Sequence, residues 1–145
     1  MNQTPNSNKA PTPMGLYPYT KKAGNLLFLS GVGPRVAGSG SEEANIPGLK
    51  YDKNGNYDTF NFEAQCRSVF DNVKSILEEA GASWNDLVDV TVFLTDMKRD
   101  FKIYNRIYAE YFKDNQPCRT TVEVNALPSP IAIELKCIAY LGDKA

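Results

Sequence analysis

The chain contains no histidine. That absence excludes Ser-His-Asp and Cys-His nucleophilic catalysis, the HExxH metal motif and any imidazole acid or base. Its three cysteines, Cys66, Cys118 and Cys137, are odd in number, far apart and form no CxxC pair. This argues against a disulfide framework or a thiolate zinc site, and for a reducing compartment. A metal site would have to be built from carboxylates alone, and no Asp/Glu group has the spacing for it. No metal and no cofactor is therefore expected. Positive charge is not in excess either: the formal net charge is −1, which leaves no basic field for nucleic acid or an anionic membrane. No apolar run approaches membrane-spanning length, and the polar start of the chain lacks the apolar segment of a signal peptide. The cytoplasm is the expected location. Chemistry must come from Arg, Asp/Glu, Tyr, Ser/Thr, Cys, backbone dipoles and bound water.

What remains is an ordinary globular composition. The chain has 145 residues, 42% of them hydrophobic and 23% charged, enough for one domain with its own core. Residues 1–14 are rich in Asn, Pro, Thr and Ser and read as a disordered arm. Residues 15–141 form a single domain, and 142–145 a short tail. Pro18 keeps Tyr17 extended, and Leu26–Ser30 is a short buried strand, so Tyr17–Thr20, the Lys21–Asn25 turn and Leu26–Ser30 predict a hairpin. Gly31–Thr59 is loop-like, with a tight turn at Asn54-Gly55; loops of that length in compact domains are often functional.

From Phe62 the apolar period becomes helical through Cys66, Val69, Phe70, Val73, Ile76 and Leu77, and Gly81 supplies the stop. Ser83 and Asp86 are spaced as a capping box ahead of a strand at Val88–Leu94. A second helix is predicted from roughly Arg99 to Lys113, with Phe101, Tyr104, Tyr108, Tyr111 and Phe112 on one face, most simply a core face. Two strand-like runs, Pro117–Leu127 and Ile131–Ala139, flank a Pro-Ser-Pro break and read as neighbours. The order is β-β-α-β-α-β-β: an α+β domain, a mixed sheet with two helices packed on one face.

The last two runs carry one charged residue each where a plain core strand would be apolar, Arg119 and Glu134. If the strands lie side by side, a guanidinium and a carboxylate share a cleft. By pattern alone an ion pair on a wet sheet face is favoured; the functional alternative is a fork for a substrate carboxylate plus a carboxylate that orients water. Tyr17 by pattern is a packing residue, Asn105 a satisfied amide, and the cysteines small buried hydrophobes. Gly31-Val32-Gly33 lacks the third glycine and following helix of a phosphate-binding turn.

Taken together, several stretches resemble the YjgF/RidA (Rid) superfamily of reactive imine/enamine deaminases over residues 15–141. These are Gly15-Leu16-Tyr17-Pro18-Tyr19, Gly24-Asn25 through Ser30-Gly31, the helix containing Asn72-Val73 and Ala80-Gly81, Val90–Leu94, Tyr104-Asn105 with Tyr108 and Phe112, Pro117-Cys118-Arg119-Thr120-Thr121-Val122-Glu123-Val124, Leu127-Pro128, and Ile133-Glu134 with Ile138-Ala139. The resemblance implies a chorismate-mutase-like fold and a homotrimer with clefts between subunits. It implies a metal-free hydrolase of the 2-iminobutanoate/2-iminopropanoate deaminase type. Arg119 would bind the carboxylate of a 2-imino or 2-aminoacrylate-type acid, and Glu134 would orient the hydrolytic water. Tyr17, Ser30, Gly31 and Asn105 would contact the substrate. Thr121 stands where the family commonly has a cysteine, and its hydroxyl can still hydrogen-bond. Residues Tyr17–Gly24, Arg35 and Arg119–Val122 also resemble the 2-aminomuconate deaminases, where Arg35 would meet a second carboxylate; the long Gly38–Gly55 loop, with Glu42-Glu43, differs from both patterns. Some members are described as endoribonucleases or translation inhibitors, a reading disfavoured by the missing basic patch and histidine; a non-catalytic metabolite binder using the same cleft is a further alternative.

Overall fold

The computed structural model describes residues 2–3, 10–36, 46–54, 57–128 and 130–142. Ten regular elements follow one another: β1 (Asn2–Gln3), β2 (Thr20–Ala23), β3 (Leu26–Leu29), β4 (Leu49–Tyr51), β5 (Tyr57–Phe60), α1 (Phe62–Glu79), β6 (Leu87–Leu94), α2 (Met97–Tyr111), β7 (Cys118–Glu123) and β8 (Ile133–Tyr140). The main sheet runs β1-β2-β3-β8-β6-β7, and β4 pairs with β5 in a separate hairpin. Both helices pack on one face of this mixed sheet. The α+β architecture and element order are those the sequence predicts, with β1 and the β4–β5 hairpin added.

Local chemistry accounts for the elements. The β2–β3 hairpin closes with only Gly24-Asn25 between its paired ends Ala23 and Leu26; Gly24 has φ 59°, a left-handed turn position that suits glycine. Lys21 and Lys22 are thus strand residues and not a turn, which leaves Tyr17–Tyr19 outside the sheet. Asn61 caps α1 by accepting a bond from the Ala64 N–H at 3.0 Å, and Gly81 ends it at φ 81° while the Ala82 N–H reaches the Leu77 carbonyl at 2.8 Å. That is a Schellman-type stop. Asp96 accepts from the Arg99 N–H at 3.0 Å, so α2 starts two residues earlier than expected. The Ser83 N–H donates to the Asp86 carboxylate at 2.8 Å, as the capping box requires.

The expectation that the last two strands are neighbours is wrong. A helical crossover through α2 returns the chain parallel to β6, so β7 pairs with one edge of β6 and β8, running antiparallel, takes the other. The core lies between the sheet and the helices: Leu27 and Leu29 of β3, Val90, Val92 and Leu94 of β6, and Leu135, Cys137 and Ala139 of β8 meet Cys66, Val69, Phe70 and Val73 of α1. The alternate side chains point to the sheet's other face, which no element among the described residues covers. There Leu26, Val122 and Tyr140 are exposed and Phe28, Phe93 and Ile138 partly so. Among the described residues no helix is long and apolar enough to cross a membrane.

The arm is not wholly free of structure. Asn2–Gln3 pairs with β2, and Ala10 is buried with 2% of its surface exposed. Of the long loop, residues 37–45, 55 and 56 lie outside the described residues, as does most of the tail. Cys66 and Cys137 are buried as expected, their thiols pushed up to about 12 by burial; Cys118 is exposed on β7 and is not a core residue.

Candidate active site

The predicted site residues fall into two clusters. The first forms where β3 runs out. Ser30 donates its N–H to the Tyr19 carbonyl at 3.0 Å and its hydroxyl to the Pro18 carbonyl at 2.7 Å, which ties the Tyr17–Tyr19 segment to the strand end. Beyond it, Val32 exchanges two backbone bonds with Leu135, 2.9 and 3.0 Å long. This short extension carries Gly31 alongside Glu134. A Cβ built on Gly31 would lie 2.9 Å from Glu134 Oε2, so only glycine lets the carboxylate rest on this stretch of main chain. Burial pushes the Glu134 carboxyl above its ordinary value. Asn72 of α1 donates to the carbonyls of Gly33 and Arg35 at 3.0 and 2.9 Å, fixing the path of the loop. Tyr17, Tyr19, Ser30, Gly31 and Arg35 then line a cleft. Glu134 borders it through Gly31.

The second cluster lies between β7 and α2. Arg119 donates from Nη1 to Asn105 Oδ1 at 2.9 Å. Its guanidinium sits 4.7 Å from the ring centre of Tyr108, 5.4 Å from Tyr104 and 6.0 Å from Phe101, a cation–π bed that holds the flat fork in place. Asn105 takes one of five N–H donors. Thr121, two residues on and on the same face of the strand, has a buried hydroxyl with no partner among the described residues.

The structure does not bring the two clusters together within one chain. Arg119 pairs with Val90, whose side chain faces the helices, whereas Glu134 pairs with Phe93 on the uncovered face. The two positions are roughly 10 Å apart along the strands and roughly 10 Å across them, on opposite sides of the sheet. Neither the intrachain cleft nor the surface ion pair expected from the sequence exists. Among the described residues no group of three His, Cys, Asp or Glu could hold a metal ion.

Comparison with known proteins bears on this arrangement. A family model described as Endoribonuclease L-PSP matches residues 7–141. This chain belongs to that family, the YjgF/RidA proteins. It is 40% identical over 134 residues to a RutC family protein of Pyrococcus horikoshii, covering 92% of this chain and 94% of that protein. It is 38% identical over 135 residues to Reactive Intermediate Deaminase A, chloroplastic, of Arabidopsis thaliana, covering 93% of this chain and 64% of the plant protein. RidA of the Antarctic bacterium Psychrobacter superposes with a TM-score of 0.76 at 32% identity over 96% of this chain and 99% of that one. The YjgF gene product of Escherichia coli gives 0.77 at 32% identity over 96% and 98%.

Seen as a YjgF/RidA chain, the protein has site residues that sequence reasoning missed. Phe101, Tyr104 and Tyr108 read as core because their spacing is helical, yet they also form the bed of Arg119. Tyr19 and Asn72 lie in stretches that carry the family resemblance but were given no role in the site, since their roles depend on where a loop passes.

Proposed function

We propose that this protein hydrolyses reactive 2-imino and 2-aminoacrylate-type acids to keto acid and ammonia. The observation that carries the reading is Glu134: a half-buried carboxylate with a raised pKa, resting on the Gly31 main chain at the edge of a cleft. Membership of a family that includes a reactive intermediate deaminase supports it. Arg119, held flat by its aromatic bed, suits bidentate binding of the substrate carboxylate. An enamine first takes a proton at carbon to become the imine. Glu134 then removes a proton from water as its oxygen bonds to the imine carbon, and returns that proton to the nitrogen to give a carbinolamine. Glu134 next carries the carbinolamine's hydroxyl proton to the nitrogen, and the carbon–nitrogen bond breaks as the carbonyl forms, releasing ammonia and the keto acid. One positioned acid/base typically contributes ~10²–10⁴-fold, enough for so activated a substrate, and Thr121 supplies a further hydroxyl.

Because Arg119 and Glu134 lie on opposite sides of the sheet, the working cleft needs a second copy of the chain. The uncovered sheet face, with Leu26, Val122 and Tyr140 exposed, is the surface a homotrimer buries; exposed apolar area of this kind marks association sites. Each cleft then joins one subunit's Arg119, Asn105 and Thr121 to another's Tyr17, Ser30, Gly31 and Glu134.

A specific observation favours a narrower substrate. Arg35 lines the same cleft as Tyr17, Ser30 and Gly31, which suits a dicarboxylic enamine such as 2-aminomuconate. Ammonia release from freshly generated 2-iminobutyrate, 2-aminoacrylate and 2-aminomuconate, with wild type and Arg119→Ala, tests both readings. Acceleration of the small imines that Arg119→Ala abolishes is the expected result. Acceleration of 2-aminomuconate alone makes the dicarboxylic reading right, and an Arg119→Ala enzyme at native rate would sink the clamp. With net charge −1 and no histidine, binding of RNA is not expected at any salt concentration.

A further inference from the structure

The first cleft already has an occupant, which is part of the chain itself. Residues Ala10–Met14 cross its mouth, with Pro11 and Pro13 in the lining. Three of the cleft's own side chains hold this strap by its main chain. The Tyr19 hydroxyl donates to the Pro11 carbonyl at 2.6 Å, the Arg35 guanidinium donates to the Thr12 carbonyl, and the Met14 N–H donates to the Tyr17 hydroxyl at 3.1 Å. Prolines at 11 and 13 have no N–H to offer a strand, so the strap makes no ladder bond from those two positions. With it in place the cleft keeps about 30 Å³ for water-sized molecules, room for roughly two waters.

Arg35 is the fixed partner in this contact. It is 7% exposed, and its backbone carbonyl is held from α1 by the Asn72 amide at 2.9 Å and the Ser68 hydroxyl at 3.4 Å. The strap is tethered differently, through Asn2–Gln3 on β2 and the segment entering β2, and among the described residues its middle is held to the cleft by side chains. A neutral peptide carbonyl on a guanidinium makes an ordinary hydrogen bond, whereas a carboxylate makes charge-assisted, often bidentate bonds about twice as strong. Ligand and strap compete for one group.

We infer that Arg35 is a carboxylate-binding subsite masked by the Thr12 carbonyl, and that a carboxylate ligand enters by displacing the Ala10–Met14 strap. The deaminase reading supplies the class of ligand, but the mechanism is a binding exchange with its own readout. Binding and strap opening are linked, so whatever weakens the latch tightens the ligand by the same factor.

Amide hydrogen exchange on the full-length protein tests this, with adipate as a dicarboxylate probe and butyrate as a monocarboxylate. Adipate should speed exchange at the Met14 amide, whose N–H is bonded to the Tyr17 hydroxyl, and Arg35→Gln should remove the response. Tyr19→Phe, which cuts the Pro11 latch and keeps the Arg35 guanidinium, should tighten adipate binding by about 2–10-fold, the worth of one ordinary hydrogen bond. A response to adipate alone identifies the subsite as holding the far end of a dicarboxylic acid; an equal response to butyrate makes it a site for a separate carboxylate. If neither acid alters strap exchange, or if Arg35→Gln binds adipate as well as wild type, the inference is overturned. Turnover plays no part in these readouts, so a protein that opens its strap yet releases no ammonia would refute the proposed activity and leave this inference standing.

Discussion

At the scale of single residues, the contact between Gly31 and Glu134 decides the most. A methyl group on residue 31 would stand 2.9 Å from Oε2 and 3.0 Å from Cδ of Glu134, so Gly31→Ala must push the carboxylate aside. Displacing a reacting group by about an ångström costs on the order of 10–100-fold in rate. Gly31→Ala should therefore lower kcat/KM for an imino acid by that factor while the far-ultraviolet circular dichroism spectrum stays unchanged; a fully active variant would remove Glu134 from the chemistry. The same residue fixes the pH response. Burial raises the Glu134 pKa above the 4.5 of an ordinary glutamate, and the carboxylate is the form that takes a proton from water. The acid limb of the kcat/KM profile should have its midpoint above that value, and Glu134→Gln should abolish the limb with most of the rate. The sign for stability is the opposite. The folded state binds the proton more tightly than the unfolded state, so this group's contribution falls as pH rises from the unfolded to the folded pKa. Glu134→Gln should then be at least as stable as wild type at pH 7, by urea titration. The types of these residues were legible in the sequence, because a charged side chain stands out in an apolar strand. Their grouping was not: that Gly31 touches Glu134 depends on a two-bond bridge from Val32 to Leu135, which has no local signature.

At the scale of elements, what the sequence predicts well is whatever a local rule controls. α1 announces itself through six apolar residues at helical spacing and a glycine stop, and the structure buries all six apolar residues. α2 begins at Met97, two residues before the predicted Arg99, because its cap Asp96 lies outside the apolar period that starts at Phe101. The adjacency of β7 and β8 was misread for a different reason: strand order depends on a crossover, and a short Pro-Ser-Pro connection resembles a hairpin loop. The two helices meet around Phe70. Its ring is fully buried, with the centres of Trp84, Tyr104, Tyr108, Tyr111 and Phe112 between 4.8 and 6.3 Å away. Phe70→Ala should cost about 3–5 kcal/mol, read as a lower urea midpoint with unchanged slope. Because Tyr104 and Tyr108 also support Arg119, this core variant should weaken carboxylate binding as well, though it sits on neither strand of the site. The exposed ion pair between Arg67 and Glu110, which also joins the helices, should add little, since surface pairs are screened by water.

At the scale of the whole molecule, one sheet faces two ways. Its covered side gives the chain a core and holds the Arg119 cluster at the α2 edge; its bare side carries Glu134 and a scatter of exposed apolar side chains. On the proposed function, a monomer with that layout has two halves of a site and, among the described residues, an apolar surface with nothing over it; a ring of three copies would answer both at once. Symmetry makes the idea testable with two inactive proteins. In a trimer with intersubunit clefts, Arg119→Ala subunits still offer Glu134, and Glu134→Gln subunits still offer Arg119. Unfolding the two together at equal amounts and refolding them should scatter both kinds through the trimers, so that roughly one cleft in four joins a native Arg119 to a native Glu134. The mixture should recover up to roughly a quarter of wild-type activity, while each variant refolded alone stays inactive. Sites built within single chains would give no recovery at any mixing ratio, because every subunit would carry one defect of its own. Recovery in the mixture together with a three-chain mass by light scattering would place the two halves on different subunits; a single-chain mass at micromolar concentration would rule that arrangement out.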